Sequence, residues 1–196
     1  MKKFFLIILF LPFLIRANAQ SITGTPEWGK LIDALEKENW QDADKLSSML
    51  LKKMPDSAPD DPVASVLRYM YIHSEAGLMN MNKLTKEEAI KHVAQFRGKF
   101  IVLPGHPVST KEGFNTIQMV NGKTDSLFIT ATNNDGTSIF SFEYIVLKEK
   151  WPSDDFKNSE GKTYKVAGII KSITVEGMAF PRFKIIVEQG LYQPFD

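Results

Sequence analysis

Residues 161–188 read GKTYKVAGIIKSITVEGMAFPRFKIIVE. Two runs rich in β-branched and aromatic residues, Thr163–Val175 and Arg182–Gln189, lie on either side of the turn signal Glu176-Gly177. That is the layout of a long β-hairpin. In the second run Phe183, Ile185 and Val187 alternate with Lys184 and Glu188, so one face is buried and the other wet. In the first run the alternation fails near Gly168, with Val166 and Ile170 on one side and Ala167 and Ile169 on the other. A glycine inside a strand marks a bulge or a sharp bend. Long bent strands are what a small closed barrel requires.

The two-residue period begins at Lys99. Further strands are expected over Lys99–Leu103, Phe114–Asn121, Ser126–Thr132 and Ser138–Leu147, separated by Asn121-Gly122 and by Asn133-Asn134-Asp135-Gly136. Trp151–Gly161 breaks the pattern and can hold a short helix. The stretch GKTYKVAGIIKSI resembles a strand of the OB-fold, in particular the secreted bacterial families likened to the tRNA anticodon-binding barrel. The resemblance implies the order strand-strand-strand-helix-strand-strand. That order fits if 114–121 and 126–132 are one broken strand. The pattern alone leaves another small antiparallel barrel or sandwich open.

Upstream, residues 25–97 carry a helical period. Thr25 with Pro26, Asn39, and Asp61 with Pro62 are N-terminal caps. Thr85-Lys86-Glu87-Glu88 is a capping box. Four helices are expected, in two hairpins separated by the turn-rich Ser57–Pro62. Trp28, Leu31, Ile32, Leu35, Ala43, Leu50 and Pro55 resemble the tetratricopeptide (TPR) helix pair. That resemblance implies a stacked helical array whose groove receives a partner. A generic four-helix packing is the alternative. The expected fold class is therefore α+β, with TPR-like hairpins followed by a small antiparallel OB-like barrel. The expected divisions are 1–19 as a signal peptide, 20–98 as the helical domain and 99–196 as the β domain.

The leader reading rests on Lys2 and Lys3, the apolar run Phe4–Ile15, and Ala17-Asn18-Ala19 before the expected cleavage after Ala19. The run is about 12 residues, short of the roughly 20 that a spanning helix needs. A periplasmic or secreted protein with no membrane span is expected. The chain has no cysteine, so disulfides and thiolate metal sites are excluded. Without the leader, 21 basic residues face 23 acidic ones, from 24 and 23 in the full chain. A near-neutral chain does not carry the basic footprint of a protein that binds long nucleic acid.

Motifs for chemistry are scarce. No nucleophile elbow, phosphate-cradling loop or paired-histidine metal spacing occurs, and no catalytic residue, metal or cofactor is expected. His92 and His73 read as packed core or boundary histidines. His106, in Pro104-Gly105-His106-Pro107, reads as an exposed loop residue and is the best histidine for a ligand. Lys162, Lys165, Lys171, Arg182 and Lys184 concentrate positive charge against Glu176 alone, so Lys165, Lys171, Arg182 and Lys184 join His106 as candidate anion-binding residues. The same lysines equally suit a solvated strand face. Phe140, Phe142, Tyr144 and Val146 alternate on one strand. Facing out, the aromatic members would stack bases or sugars, but their apolar neighbours favour the core. Two functions fit: an exported, non-enzymatic adaptor with a protein partner, or a carrier with a small or oligomeric ligand in the barrel mouth.

Overall fold

The computed structural model describes residues 22–54 and 61–195. The signal-peptide reading and most of the Ser57–Pro62 turn lie outside them. The protein is α+β: helices fill the N-terminal half and a seven-stranded sheet fills the C-terminal half.

The helices start where the caps demand. Helix α1 (Pro26–Glu36) begins after Thr25, whose side chain accepts from the Trp28 amide. Helix α2 (Trp40–Lys52) follows Asn39, which accepts from the Asp42 amide. Helix α3 (Pro62–Asn80) follows Asp61, which accepts from the Val63 and Ala64 amides. Helix α4 (Lys86–Val93) carries the complete Thr85–Glu88 capping box. A 3-10 turn, Ala94–Phe96, then leads through Gly98, at φ +76°, into the sheet.

Helix α3 is the hub. It packs on α2 along one side and on the sheet along the other. Its inward surface is therefore not the single stripe that the period suggests; Ser65, Arg68, Ser74 and Glu75 are buried along with Leu67, Ile72 and Met79. Gly77 makes the α2 packing possible, because a Cβ there would enter the Trp40 indole. One apolar cluster runs from Trp40, Ile72 and Val93 in the helices to Ile129, Ile170 and Ile185 in the strands. Leu31, Ala34, Ala43, Leu50 and Leu67 form a second, smaller one.

The strands are β1 (Phe100–Val102), β2 (His106–Pro107), β3 (Gln118–Met119), β4 (Ser126–Thr132), β5 (Ile139–Leu147), β6 (Thr163–Glu176) and β7 (Arg182–Pro194), with α5 (Ser153–Lys157) between β5 and β6. The sheet order is β1-β6-β7-β5-β4-β3, with β2 also on β6. Two expectations change. The sheet is mixed, not antiparallel, because β5 and β7 run parallel. It is also not closed. Among the described residues the β2 and β3 ends meet at one isolated bridge, Val108 to Ile117, where Ile117 donates to the Pro107 carbonyl and Ser109 to the Ile117 carbonyl.

The break in the strand order also moves. Residues 118–119 and 126–132 are separate paired strands. The interruption lies upstream instead, where β1 and β2 line β6 and β3 lines β4. Counted as one broken strand, β1–β3 restores the expected order around α5.

Gly168 marks the expected bulge, as the β6–β7 register shifts between Ala167 and Ile169. A Cβ at Gly168 would lie 2.5 Å from Val187 Cγ1 and 2.8 Å from the Glu188 carbonyl oxygen. The bend thus needs a residue without a side chain, for close approach rather than for an unusual φ.

Candidate functional site: an aromatic cleft on the outer face of the sheet

The β4–β5 register places Phe128 opposite Tyr144 and Thr130 opposite Phe142. On β3, Gln118 faces Phe128; on β7, Lys184 faces Phe142. Side chains alternate across a strand, so these residues share one face. It is the outer face. The buried row of β5 is Ser141, Glu143, Ile145 and Leu147, and that of β4 includes Leu127, Ile129 and Ala131. Phe142 and Tyr144 are half-buried and Val146 is exposed. The expectation that Phe140, Phe142, Tyr144 and Val146 line the core is corrected: of these only Phe140 is buried, between Trp40 and His73. Ser141 and Glu143 occupy core positions that a hydrophobic pattern assigns outward.

The outward rings form a continuous surface. Phe128 stacks on Phe142 with centroids 5.7 Å apart at 26°, and tilts against Tyr144 at 5.0 Å. The Arg182 guanidinium lies 4.3 Å over the Phe142 ring. The Lys184 ammonium lies 5.6 Å over Tyr144, and Glu176, 3.0 Å away, accepts from it and holds its pKa above the ordinary lysine value.

These rings floor a cleft of about 940 Å³ whose walls are the 109–122 segment and the α5 residues Ser153, Phe156 and Lys157. The wall is tethered. Asn115 donates its backbone N–H to Thr130 Oγ1 and its side-chain N–H to Thr132 Oγ1, and accepts from the Thr132 amide. Gln118 donates to the Gly113 carbonyl at 2.6 Å and to Thr116 Oγ1 at 2.8 Å. At the far end Thr110 donates its N–H to Glu160 at 2.6 Å, and that bond holds the Glu160 carboxyl below its usual range. Phe114 stands on the rim, 57% exposed. Ring faces, amides and hydroxyls can bind a ligand that offers ring planes and hydrogen-bonding edges.

His106 is not in an exposed loop. It is 8% exposed, in β2 against Tyr164. Its Nδ1–H donates to the Asn115 carbonyl at 3.1 Å, which fixes the neutral tautomer; burial, the larger cause, lowers its pKa. It braces the cleft wall from behind. The four cationic candidates do not converge. Lys171 pairs with Glu188 at 3.6 Å, Lys165 lies 4.1 Å over the Phe195 ring, and only Arg182 and Lys184 border the aromatic face. Gln118 and Phe114 carry no signal in the sequence that marks them for the site. In Ser126–Thr132 the apolar row Leu127, Ile129 and Ala131 alternates with Ser126, Phe128, Thr130 and Thr132, so the period alone assigns Phe128 and Thr130 to the outward row.

Among the described residues no cluster of three His, Asp or Glu side chains could hold a metal ion, and no helix is long and apolar enough to cross a membrane.

No protein-family model matches the chain, and no curated protein matches it. Among solved structures, a Plasmodium falciparum SSB complex with ssDNA is similar over 50% of this chain and 94% of that one, at 15% identity and a TM-score of 0.26.

Proposed function

We propose that the protein is an exported, non-enzymatic binding protein that holds an extended ligand made of ring-shaped units across the outer face of β4 and β5. The observation that carries this reading is the outward stack of Phe128, Phe142 and Tyr144 in an open cleft. Aromatic faces are sequence-tolerant platforms, worth roughly 1–3 kcal/mol per stacked base. The tethered wall supplies amides and hydroxyls beside them. Export is supported by the Lys2-Lys3 start, the apolar run and Ala17-Asn18-Ala19.

Fluorescence or calorimetric titration of the purified protein tests the reading with three probes: a hexasaccharide, a short single-stranded oligonucleotide and an unstructured peptide. One of the ring-bearing probes is expected to bind, and Phe142→Ala with Tyr144→Ala is expected to weaken it at least about tenfold, from the stacking energy above. Binding by neither ring-bearing probe, or equal binding by wild type and the double variant, overturns it.

A second reading, an adaptor for a protein partner, is favoured by the β6–β7 hairpin tip. Met178 and Phe180 are 96% and 76% exposed there, which is uncommon for neighbouring large apolar residues unless they meet a partner. In that reading the TPR-like α1–α2 pair offers a further surface. Cross-linking from the tip that captures the same protein from wild type, but not from Met178→Ser/Phe180→Ser, supports it; capture that ignores the substitutions removes it.

A further inference from the structure

The helical half contains a cluster of titratable groups unrelated to the cleft. Glu75, on α3, has a side chain only 2% exposed. His92, on α4, places Nδ1 3.0 Å and 3.1 Å from its two carboxylate oxygens. Tyr71, one turn earlier on α3, bonds to the same carboxyl. From α2, Asp44 brings its carboxyl group within hydrogen-bonding reach of it. Yet Asp44 Oδ1 is buried with no donor. Two adjoining carboxylates, one of them buried, cannot both be ionised at low cost. A proton on one of them removes the repulsion and lets one carboxyl donate to the other.

We propose that Asp44 and Glu75 share a single proton, that this proton clasps α2 to α3 beside the His92 bond to α4, and that its loss as pH rises loosens the helical half. The groups that bear on Glu75 come from every neighbouring helix: Asp44 from α2, Tyr71 from α3 itself and His92 from α4. The sheet presents Glu143 to α3, but that group bears on Tyr69. Gln95, after α4, donates to the His92 carbonyl and carries no charge.

The direction follows from the cluster. Burial, the largest cause, and Asp44 raise the Glu75 pKa to about 7, against the opposing pull of His92. The unfolded carboxyl, near 4.5, has lost its proton well before then. The clasp is therefore complete below pH 4.5, weakens as pH climbs toward 7 and is spent above it.

The experiment uses the full chain with Glu143→Gln as background, because Glu143 titrates in the same range. Carboxyl carbon NMR is expected to give Glu75 a midpoint near 7. Asp44→Asn is expected to lower it by about one unit or more, since an amide donor favours the ionised partner. Amide exchange in α2 and α4, corrected for its intrinsic pH dependence, is expected to speed up about tenfold between about pH 5.5 and 8.5, the equivalent of one unit of pKa shift. Glu75→Gln is expected to flatten that rise. A Glu75 midpoint near 4.5, or an equal exchange rise with and without Glu75, overturns the proposal. Should Glu75→Gln fail to fold, the Asp44→Asn midpoint decides alone: an unmoved value overturns it.

Discussion

Arg182 covers one face of Phe142, its guanidinium 4.3 Å from the ring centroid. The pair joins the tip end of the β6–β7 hairpin to the middle of β5 across the open side of the sheet. A ring so placed is held by a cation and by neighbouring rings, not by a closed core. Emptying a buried phenylalanine site costs roughly 3–5 kcal/mol. Here Phe142→Ala is expected to cost less, about 2 kcal/mol, because the ring is only half-buried and gives up one cation–π interaction and its stack on Phe128. Urea unfolding measures it. A cost above about 3 kcal/mol would return Phe142 to the core and leave the cleft without its floor.

Glu143 is the opposite case, an ionisable group at the centre of the packing. It is fully buried, with Oε1 accepting from Ser141 Oγ at 2.7 Å and Oε2 unpartnered. Burial raises its pKa to about 7, against the opposing pull of the Ser141 bond. Folding therefore binds a proton between pH 4.5 and 7, and stability falls as pH rises through that window. Glu143→Gln keeps the Ser141 bond and carries no charge. It is expected to match wild type near pH 4 and to be more stable at pH 8, by at most about 3 kcal/mol. A variant less stable than wild type at about pH 8 would mean that the ionised carboxylate has a partner of its own.

Glu143 shows where sequence reading stops. Caps and turns are local chemistry, so Thr25, Asn39, Asp61 and Thr85 announce the helices one by one, and Gly168 announces its bulge. Which face of a strand is inside is not local. In β5 the polar Ser141 and Glu143 point inward and Phe142 and Tyr144 outward, the reverse of what a hydrophobic count assigns. The β5–β7 parallel pairing is equally silent in the sequence, since it joins strands with α5 and β6 between them. Short strands also leave little trace: β2 and β3 have two residues each, below the length at which a period of two can register. His106 reads as exposed because Pro104-Gly105-His106-Pro107 has loop composition, yet pairing with β6 buries it.

Gly168 allows the β6 bulge to press against β7, and Gly168→Ala tests how tightly. The added methyl would meet Val187 Cγ1 at 2.5 Å and the Glu188 carbonyl at 2.8 Å. Val187 is fully buried and the carbonyl belongs to the paired backbone, so neither yields easily. The expected cost is about 1–3 kcal/mol, the range for overpacking. It is measured by the urea midpoint, with exchange of the β6 and β7 amides showing whether the register shift persists. A cost within about 0.5 kcal/mol, ordinary for a surface site, would mean that the bulge relaxes freely.

His73 sets the acid limit of stability. Its ring stacks on Tyr69, meets the Trp40 edge at 5.3 Å and tilts against Phe140, and Nδ1 is buried without a partner. Burial, and to a lesser degree His106, lower its pKa to about 4. An unfolded histidine takes up its proton near 6.5. Between those values the unfolded state binds more protons, so this residue's contribution to stability falls as pH drops from about 6.5 to about 4, by at most about 3 kcal/mol. Glu75 and Glu143 act the other way over most of the same range, gaining as pH falls. In wild type one histidine slope opposes two carboxyl slopes, so the offset is partial and the melting temperature is expected to rise modestly as pH falls from 6.5 to 4.5. In His73→Leu the opposing histidine slope is gone, and the melting temperature should rise more steeply on acidification across that window than in wild type. A variant profile no steeper than that of wild type would place the acid sensitivity elsewhere, with His106 the first residue to replace next.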